Sequence, residues 1–325
     1  MFNTKLLSAA VLVLLVLLYI TGWWVSREPD LLPEANPQSQ LQPADKAVVG
    51  YATTTALIRV SETLLDKSGG YLSNDILPPF SLLDNMPAWE LGALEMSRDL
   101  ALALRKDLSR SQSQSTENPY LKVAQPMFNI DHRSWAIPSA EAEYRKAIAQ
   151  LYLYRQELLE PSRPDSQFYA RADNLRDWLK AVEKRLGSYS QRLSASVGQD
   201  RLNTDLAGDA GARQSTDVPG QRLVKTSWWK LDDEFYEARG ASWALLHFLK
   251  AVEQDFADVL QRKNAMVSLQ QIIRELEATQ QAIWSPMILN GSGFGLMANH
   301  SLVMANYISR ANAALIDLSE LLTQG

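Results

Sequence analysis

The chain has 325 residues, of which 46% are hydrophobic and 21% charged, and a formal net charge of −5. That acid excess argues against broad binding to nucleic acid or anionic lipid headgroups, both of which need a basic surface. Cysteine is absent, which removes thiol chemistry, thiolate metal sites and anchoring through a lipoprotein cysteine.

Leu6 to Val25 (LLSAAVLVLLVLLYITGWWV) is an uninterrupted apolar run. It matches the roughly 20 residues a helix needs to cross a bilayer core. A secretory signal would have a shorter core, about 7–15 residues, and a small-x-small cleavage site. An uncleaved transmembrane anchor over 6–25 is therefore expected, with the lipid bilayer as its partner. Lys5 on one side and Trp23 and Trp24 on the other are the expected membrane-interface residues, since basic and aromatic side chains favour that depth. The stub 1–5 carries Lys5 and the α-amino group with no acid, whereas Arg27 is followed by Glu28, Asp30 and Glu34. The positive-inside rule then places the N-terminus in the cytoplasm and the rest in the periplasm of a two-membrane bacterium. An inward-signalling receptor is not expected from so short a stub.

Residues 26–45 (SREPDLLPEANPQSQLQPAD) contain Pro29, Pro33, Pro37 and Pro43 and read as a linker. Fully extended, such a tether would reach up to roughly 60 Å, and as a coil about 25 Å. The domain proper is expected over 46–325. Its first helix runs from about Val48 to Asp66 and ends at Gly69-Gly70, a pair suited to the left-handed C-cap. A second helix starts near Asp84 with Pro87 in its first turn. It runs to about Arg110 and buries Trp89, Ala93, Met96 and Leu100. Another opens at Ser139, with Glu141 and Glu143 near the positive end of its dipole, and buries Tyr144, Ile148, Leu151 and Leu158.

The clearest periodicity follows. Phe168, Ala172, Leu175, Leu179, Val182 and Leu186, continuing through Tyr189 and Leu193, alternate spacings of four and three. This is the a/d pattern of a helix packed along a shallow-crossing neighbour. Arg171, Arg176, Lys180, Lys184 and Arg185 on this helix are interleaved with Asp173, Asp177 and Glu183, which makes a salt-bridged face and not a polyanion site. A second seam runs Leu231, Phe235, Ala238, Ser242, Leu245 and Leu249, then Val252, Phe256 and Val259. A third, shorter one uses Met266, Leu269, Ile273, Leu276, Gln280 and Ile283. The last helix is expected from about Gly295 to Leu322, with Val303, Tyr307, Ala314, Leu318 and Leu321 on its buried side.

No segment shows strand alternation bounded by turns. The fold class is all-α: an N-terminal transmembrane helix plus a bundle of long, mostly antiparallel helices with heptad-like seams. Val197 to Arg222 is polar, glycine-rich and long, and reads as a mobile surface loop dividing the domain into two possible halves. An echo accompanies that division. Trp135 to Arg145 and Trp229 to Arg239 each place a Trp ahead of an acidic helix start, then an aromatic and an Arg.

Chemistry is sparse. His132, His247 and His300 are far apart in sequence and make no helical zinc pair, so no metal and no cofactor is expected. His300 is read as a core histidine, His247 as exposed, and His132 as part of a turn. Gly291-Ser292-Gly293-Phe294-Gly295 lacks the spacing of a phosphate loop and reads as a hairpin turn opening at Asn290-Gly291. Asp232-Asp233-Glu234 follows Trp228-Trp229-Lys230 and reads as acidic capping of a helix start. A peptidoglycan-cleaving enzyme would need a protonated Glu in an aromatic groove. Glu95 is the candidate catalytic residue, although the Glu-Ser motif is missing and a plain surface acid is the simpler account.

Gly50 to Pro79 (GYATTTALIRVSETLLDKSGGYLSNDILPP) and Asp84 to Arg105 (DNMPAWELGALEMSRDLALALR), with the N-terminal anchor, resemble an uncharacterised proteobacterial family. It is the domain of unknown function twenty-three thirty-three. The resemblance covers most of the chain and implies a single-span envelope protein, with no known activity and no functional residues to carry over. The expected function is an inner-membrane-anchored periplasmic protein of unknown activity. An envelope interaction or scaffold role with a protein partner is favoured, and a homo-oligomer stays open. A peptidoglycan-acting or other envelope enzyme is the alternative.

Overall fold

The computed structural model describes residues 4–33, 48–111, 116–160, 167–202, 221–285 and 287–324. Ten α-helices make up most of these residues. Helix α1 (Thr4–Val25) is followed by α2 (Tyr51–Asp66), α3 (Asn85–Ala103), α4 (Pro119–Phe128), α5 (Ala140–Leu158) and α6 (Ala172–Ser194). Then come α7 (Leu231–Asp255), α8 (Ala257–Arg262), α9 (Met266–Ala278) and α10 (His300–Thr323). Leu7–Val25 of α1 has a mean hydropathy of 2.2, long and apolar enough to cross a membrane.

Local chemistry explains most of the boundaries. Asn118 and Ser139 accept N–H bonds at the starts of α4 and α5, and Asn299 does so for α10. Helix α2 has no side-chain cap of its own. Asp255, at the far end of α7, supplies one by accepting the Thr53 N–H at 2.7 Å. After α2 the chain turns through Gly69 and Gly70, both at positive φ, as expected for that pair. Helix α3 widens into a π-turn at Leu104–Leu108, where the Ser109 N–H reaches back to the Leu104 carbonyl.

Helix α7 is the centre of the bundle. Its stretch from Ala238 to Leu249 is buried on all sides, because α2, α3, α6, α9 and α10 all pack on it. Its most extensive contact is with α3. An added Cβ on Gly92 would sit 1.9 Å from the Glu237 carbonyl oxygen, and one on Gly240 would sit 2.0 Å from that of Trp89. Two glycines thus let the two backbones touch, and Trp89 and Trp243 meet beside them with centroids 5.1 Å apart. Unlike most neighbours, α3 and α7 begin at the same end, where Asp84 acts electrostatically on Asp233. The other pairs tested by side-chain bonds are antiparallel. Tyr152 donates to Glu62 and Arg145 to Asp66 between α5 and α2. Ser190 reaches the Ala305 carbonyl between α6 and α10.

The first two seams are buried as expected, from Leu175 to Leu193 and from Leu231 to Val259. The third is buried from Leu269 to Leu276, but the helix stops at Ala278, before Gln280 and Ile283. The last helix differs in register. It begins at His300 and buries Met304, Ile308, Ala311, Leu315, Leu318 and Leu322, whereas Val303 is exposed. Helix α4 had no counterpart in the sequence reading, and the second seam, read as one helix to Val259, is broken after Asp255 into α7 and the short α8. Of the 197–222 loop, residues 203–220 lie outside the described residues. Its flanks form a two-stranded antiparallel ladder, β1 (Gln199–Leu202) with β2 (Gln221–Val224), pairing Gln199 with Val224 and Leu202 with Gln221.

This up-and-down order has a spatial consequence. The turns leading into α3, α5, α7 and α10 all lie at one end of the bundle, and α1 arrives at that same end. Val25 is buried there against Gly69 and Leu72, and Gly22 lies against the Leu83 side chain.

Candidate functional site: a strap clasped to the bundle

Residues 26–33 do not hang free. The extended chain runs up α7, making one contact per helical turn. Glu28 accepts from Arg239 Nε at 2.6 Å, and the Asp30 carbonyl accepts from Trp243 Nε1 at 3.4 Å. The Leu32 N–H then donates to His247 Nε2 at 3.4 Å. Positions 239, 243 and 247 are each four apart on a helix, a rise of about 6.0 Å. Positions 28, 30 and 32 are two apart on an extended chain, a rise of about 6.6 Å. The two repeats match, so the strap stays in step for two turns. Arg59 of α2 secures its upper end by donating to the Pro33 carbonyl at 2.6 Å. The tether expected over 26–45 is therefore a docked strap as far as Pro33, and residues 34–45 lie outside the described residues.

Arg239 is the centre of this clasp. Besides Glu28 it donates to the carbonyls of Thr279 at 2.7 Å, Gln281 at 3.0 Å and Gln280 at 3.3 Å. Those carbonyls belong to the C-cap of α9 and to the two residues that follow it. One guanidinium, almost wholly buried, thus ties strap, α7 and α9 together. A planar fork of five donors suits this task, and an ammonium would not.

A second polar cluster fixes the turn below the strap. Glu90 of α3 is fully buried and accepts from the N–H groups of Leu72 and Ser73, both at 2.8 Å, and from Lys67. Burial pushes its carboxyl up, while Lys67, Ser73 and Leu72 pull it back down. This turn in turn holds the next one: Tyr71 donates to the His132 carbonyl at 3.1 Å and Asn74 to that of Ser134 at 2.9 Å. Every acceptor site of Glu90 is directed at structure, which marks it as a clamp.

The residues singled out from sequence fall as follows. Lys5, Trp23 and Trp24 are exposed on α1, and the Arg27 guanidinium lies 4.1 Å over the Trp23 ring. Glu95 is ion-paired with Arg98 at 3.0 Å and with Arg185 from α6, which also holds Asp99. It belongs to an inter-helix ion-pair network and not to an aromatic groove. His247 is buried, not exposed: α7 is covered on the side where an outer face was expected, because the strap lies over it. Burial, with Lys250 and Arg59 nearby, pushes His247 down to about 4. His300 is only half-buried and accepts from the Leu289 N–H at 3.1 Å. It lines an open cavity of about 200 Å³ with Phe235, Ile283, Trp284, Met304 and Tyr307. His132 sits half-buried in its turn, where burial and then Arg133 and Arg98 lower its pKa. A hairpin forms here, closed by a bridge between Asn290 and Asn299, but its turn lies at Ser292–Gly295 and not at Asn290-Gly291, which sits at its base. Asp232, Asp233 and Glu234 occupy the first turn of α7, and Glu234 pairs with Arg192 at 2.6 Å. Among the described residues no group of His, Asp and Glu is placed to hold a metal ion.

Arg239, Trp243 and Glu28 went unnoticed in the sequence. The available signal was a stripe at 239, 243 and 247 on the side of the second seam helix away from its a/d residues. Its partner is a backbone, however, which carries no residue pattern.

A family model described as an uncharacterized protein conserved in bacteria (DUF2333) matches residues 2–325. The chain belongs to this family. Strap, clasp and clamp therefore all lie within the stretch that defines DUF2333. No curated protein and no solved structure matches the chain.

Proposed function

We propose that the protein is a single-span component of the bacterial inner membrane, with its N-terminus in the cytoplasm and its helical bundle in the periplasm. There it holds that bundle at a set height and orientation for contact with another envelope protein. The observation that carries this reading is the strap. A flank bonded to α7 at three successive turns fixes the bundle relative to the anchor. Such fixing serves a scaffold that must present one surface, and has no use in an enzyme that searches a wide area on a loose tether. The extended apolar length of α1 and the flanking Lys5, Trp23 and Trp24 support the anchor itself.

Two measurements test this. An alkaline phosphatase fused after Gly325 becomes active if the bundle is periplasmic, and an inactive fusion overturns the topology. Photo-crosslinking residues placed around the bundle in living cells give a discrete adduct from one face only if that face is presented to a partner. Absence of any adduct, together with muramidase activity of the purified full-length protein, overturns the scaffold role.

A further inference from the structure

The end of the bundle where α1 arrives carries four loop tips without a single charged residue: Ile76–Leu83 (ILPPFSLL), Ser134–Pro138 (SWAIP), Thr226–Trp229 (TSWW) and Ile283–Asn299. Their large apolar side chains point into solvent. Phe294 and Leu296 are each 108% exposed, Ile137 103% and Trp284 98%, while Leu82, Trp229, Trp228 and Leu77 exceed two-thirds. The opposite end is different. Its connecting residues within the described part carry Arg105, Lys106, Asp107, Arg110, Glu117, Glu160, Arg171, Asp258, Arg262 and Lys263, and exposed apolar residues there, such as Val49, Leu159 and Val267, stand singly. Isolated exposed apolar side chains are ordinary, but a set confined to one end of a bundle marks a contact surface.

We propose that this end of the bundle is seated in the membrane, with the four tips inserted at the depth of the headgroups and the first acyl carbons of the outer leaflet of the bilayer that α1 spans. The inference rests on α1 being a span. Helix α1 has 22 residues, a length of about 33 Å against a hydrocarbon core of about 30 Å. Its last turn, with Trp23 and Trp24, must then lie at the interface. Gly22 in that turn is covered by the Leu83 side chain, and Val25 packs on Gly69 and Leu72. The Ile76–Leu83 tip therefore has the same depth as the end of the span. The Ser134–Pro138 tip is held to the same turn through Tyr71–His132 and Asn74–Ser134. Ser285 and Ile283, at the base of the third large tip, line the same groove as Ser26 and Arg27.

The composition fits lipid better than protein. Exposed Trp at an apolar–aqueous boundary places ring and N–H in their preferred surroundings. Charged residues flank the tips only where they join the helices, as Asp75, Asp84, Arg133 and Lys230 do, and the apolar tips themselves carry none. They also lack clustered Lys and Arg, so insertion is driven by apolar area and needs no anionic lipid.

The cysteine-free chain allows a direct test on the full-length protein. Single variants Leu14→Cys, Phe294→Cys, Ile137→Cys and Arg262→Cys are spin-labelled and reconstituted in vesicles of phosphatidylethanolamine and phosphatidylglycerol. The accessibility of each label to oxygen and to a water-soluble nickel chelate is then measured. The expected result is an oxygen-to-nickel ratio about threefold or more higher at 294 and 137 than at 262, approaching that at 14. Labels at 294 and 137 that match 262, with 14 in lipid, overturn the seating and leave the anchor intact. A water-exposed label at 14 overturns both. Concentration-dependent spin–spin broadening at 294 or 137 assigns the tips to a second copy of the chain and overturns the lipid assignment.

Discussion

The Glu28 carboxylate and the Arg239 guanidinium meet at 2.6 Å across 211 residues of sequence, and the same guanidinium closes the end of α9. Removing it leaves one carboxylate and three carbonyls without their donor. Arg239→Ala is expected to cost about 3–5 kcal/mol, as for other buried charges that lose a partner, measured by chemical denaturation of the full-length protein in detergent. Glu28→Gln keeps the carbonyl bonds and is expected to cost about 1–2 kcal/mol. Its signature is faster hydrogen exchange at Leu32, without faster exchange in α9.

Helix α7 gives a pH prediction. His247 is held down at about 4 against an ordinary value of 6.5, so between those values the unfolded chain binds a proton that the native chain refuses. Stability is therefore highest above pH 6.5 and falls as pH drops toward 4, by about 3 kcal/mol in all. Protonation also removes the Nε2 acceptor of the Leu32 N–H, while Lys250 and Arg59 repel the new charge. The strap should become protease-sensitive below pH 6 before the bundle unfolds. In His247→Gln the fall over that segment of the stability–pH profile should be shallower, with His132, also held below its ordinary value, supplying what remains.

The α3–α7 crossing tolerates no side chain. Alanine is ordinarily better than glycine inside a helix by about 1 kcal/mol. Gly92→Ala and Gly240→Ala should nonetheless destabilise by about 2–3 kcal/mol, because backbone must move to admit the methyl group. Gly187→Ala is the control: its Cβ would meet only Asn312 Nδ2 at 3.7 Å, and a gain of about 0.4–1 kcal/mol is expected. Thermal melts of the three variants side by side decide this.

For the clamp, Glu90→Ala leaves the Lys67 ammonium buried and unpaired, with an expected loss of about 3–5 kcal/mol. The double variant Lys67→Met, Glu90→Leu should recover at least half of that loss, since the uncompensated charge has gone. A double variant no better than the single one would mean that the N–H bonds to Leu72 and Ser73 dominate.

How much of this was legible in the sequence follows from the kind of contact involved. Seams of large apolar residues repeat in the chain, so the buried faces of α6 and α7 could be read, although Phe168 precedes α6 and the second seam runs past the end of α7 into α8. In α10 the true stripe includes the small residues Ser301 and Ala311, whereas Val303 and Tyr307 on its flank look more apolar. That contrast shifted the register by one. Helix α4 was hidden by Pro119 and Pro126, although the first is at a helix start where proline is welcome. The strap was illegible because three of its four contacts use its own main chain, the Asp30 and Pro33 carbonyls and the Leu32 N–H, which leave no residue pattern. Glu90 stood next to Trp89 as a single acid among many, and only burial distinguishes it from Glu95.

The cap that Asp255 places on α2 has a bearing on how the chain is made. Thr53 leaves the ribosome about 200 residues ahead of the carboxylate that will cap the start of its helix, an interval that the sequence separation of 202 makes explicit. Helices α2 to α5 meanwhile lack the one helix that all but α4 and α5 pack upon directly. Synthesis thus delivers an incomplete assembly first, and locks it only when α7 slots in from behind. A chaperone-like hold on the early half, or its loss to proteolysis, would be decided within that interval.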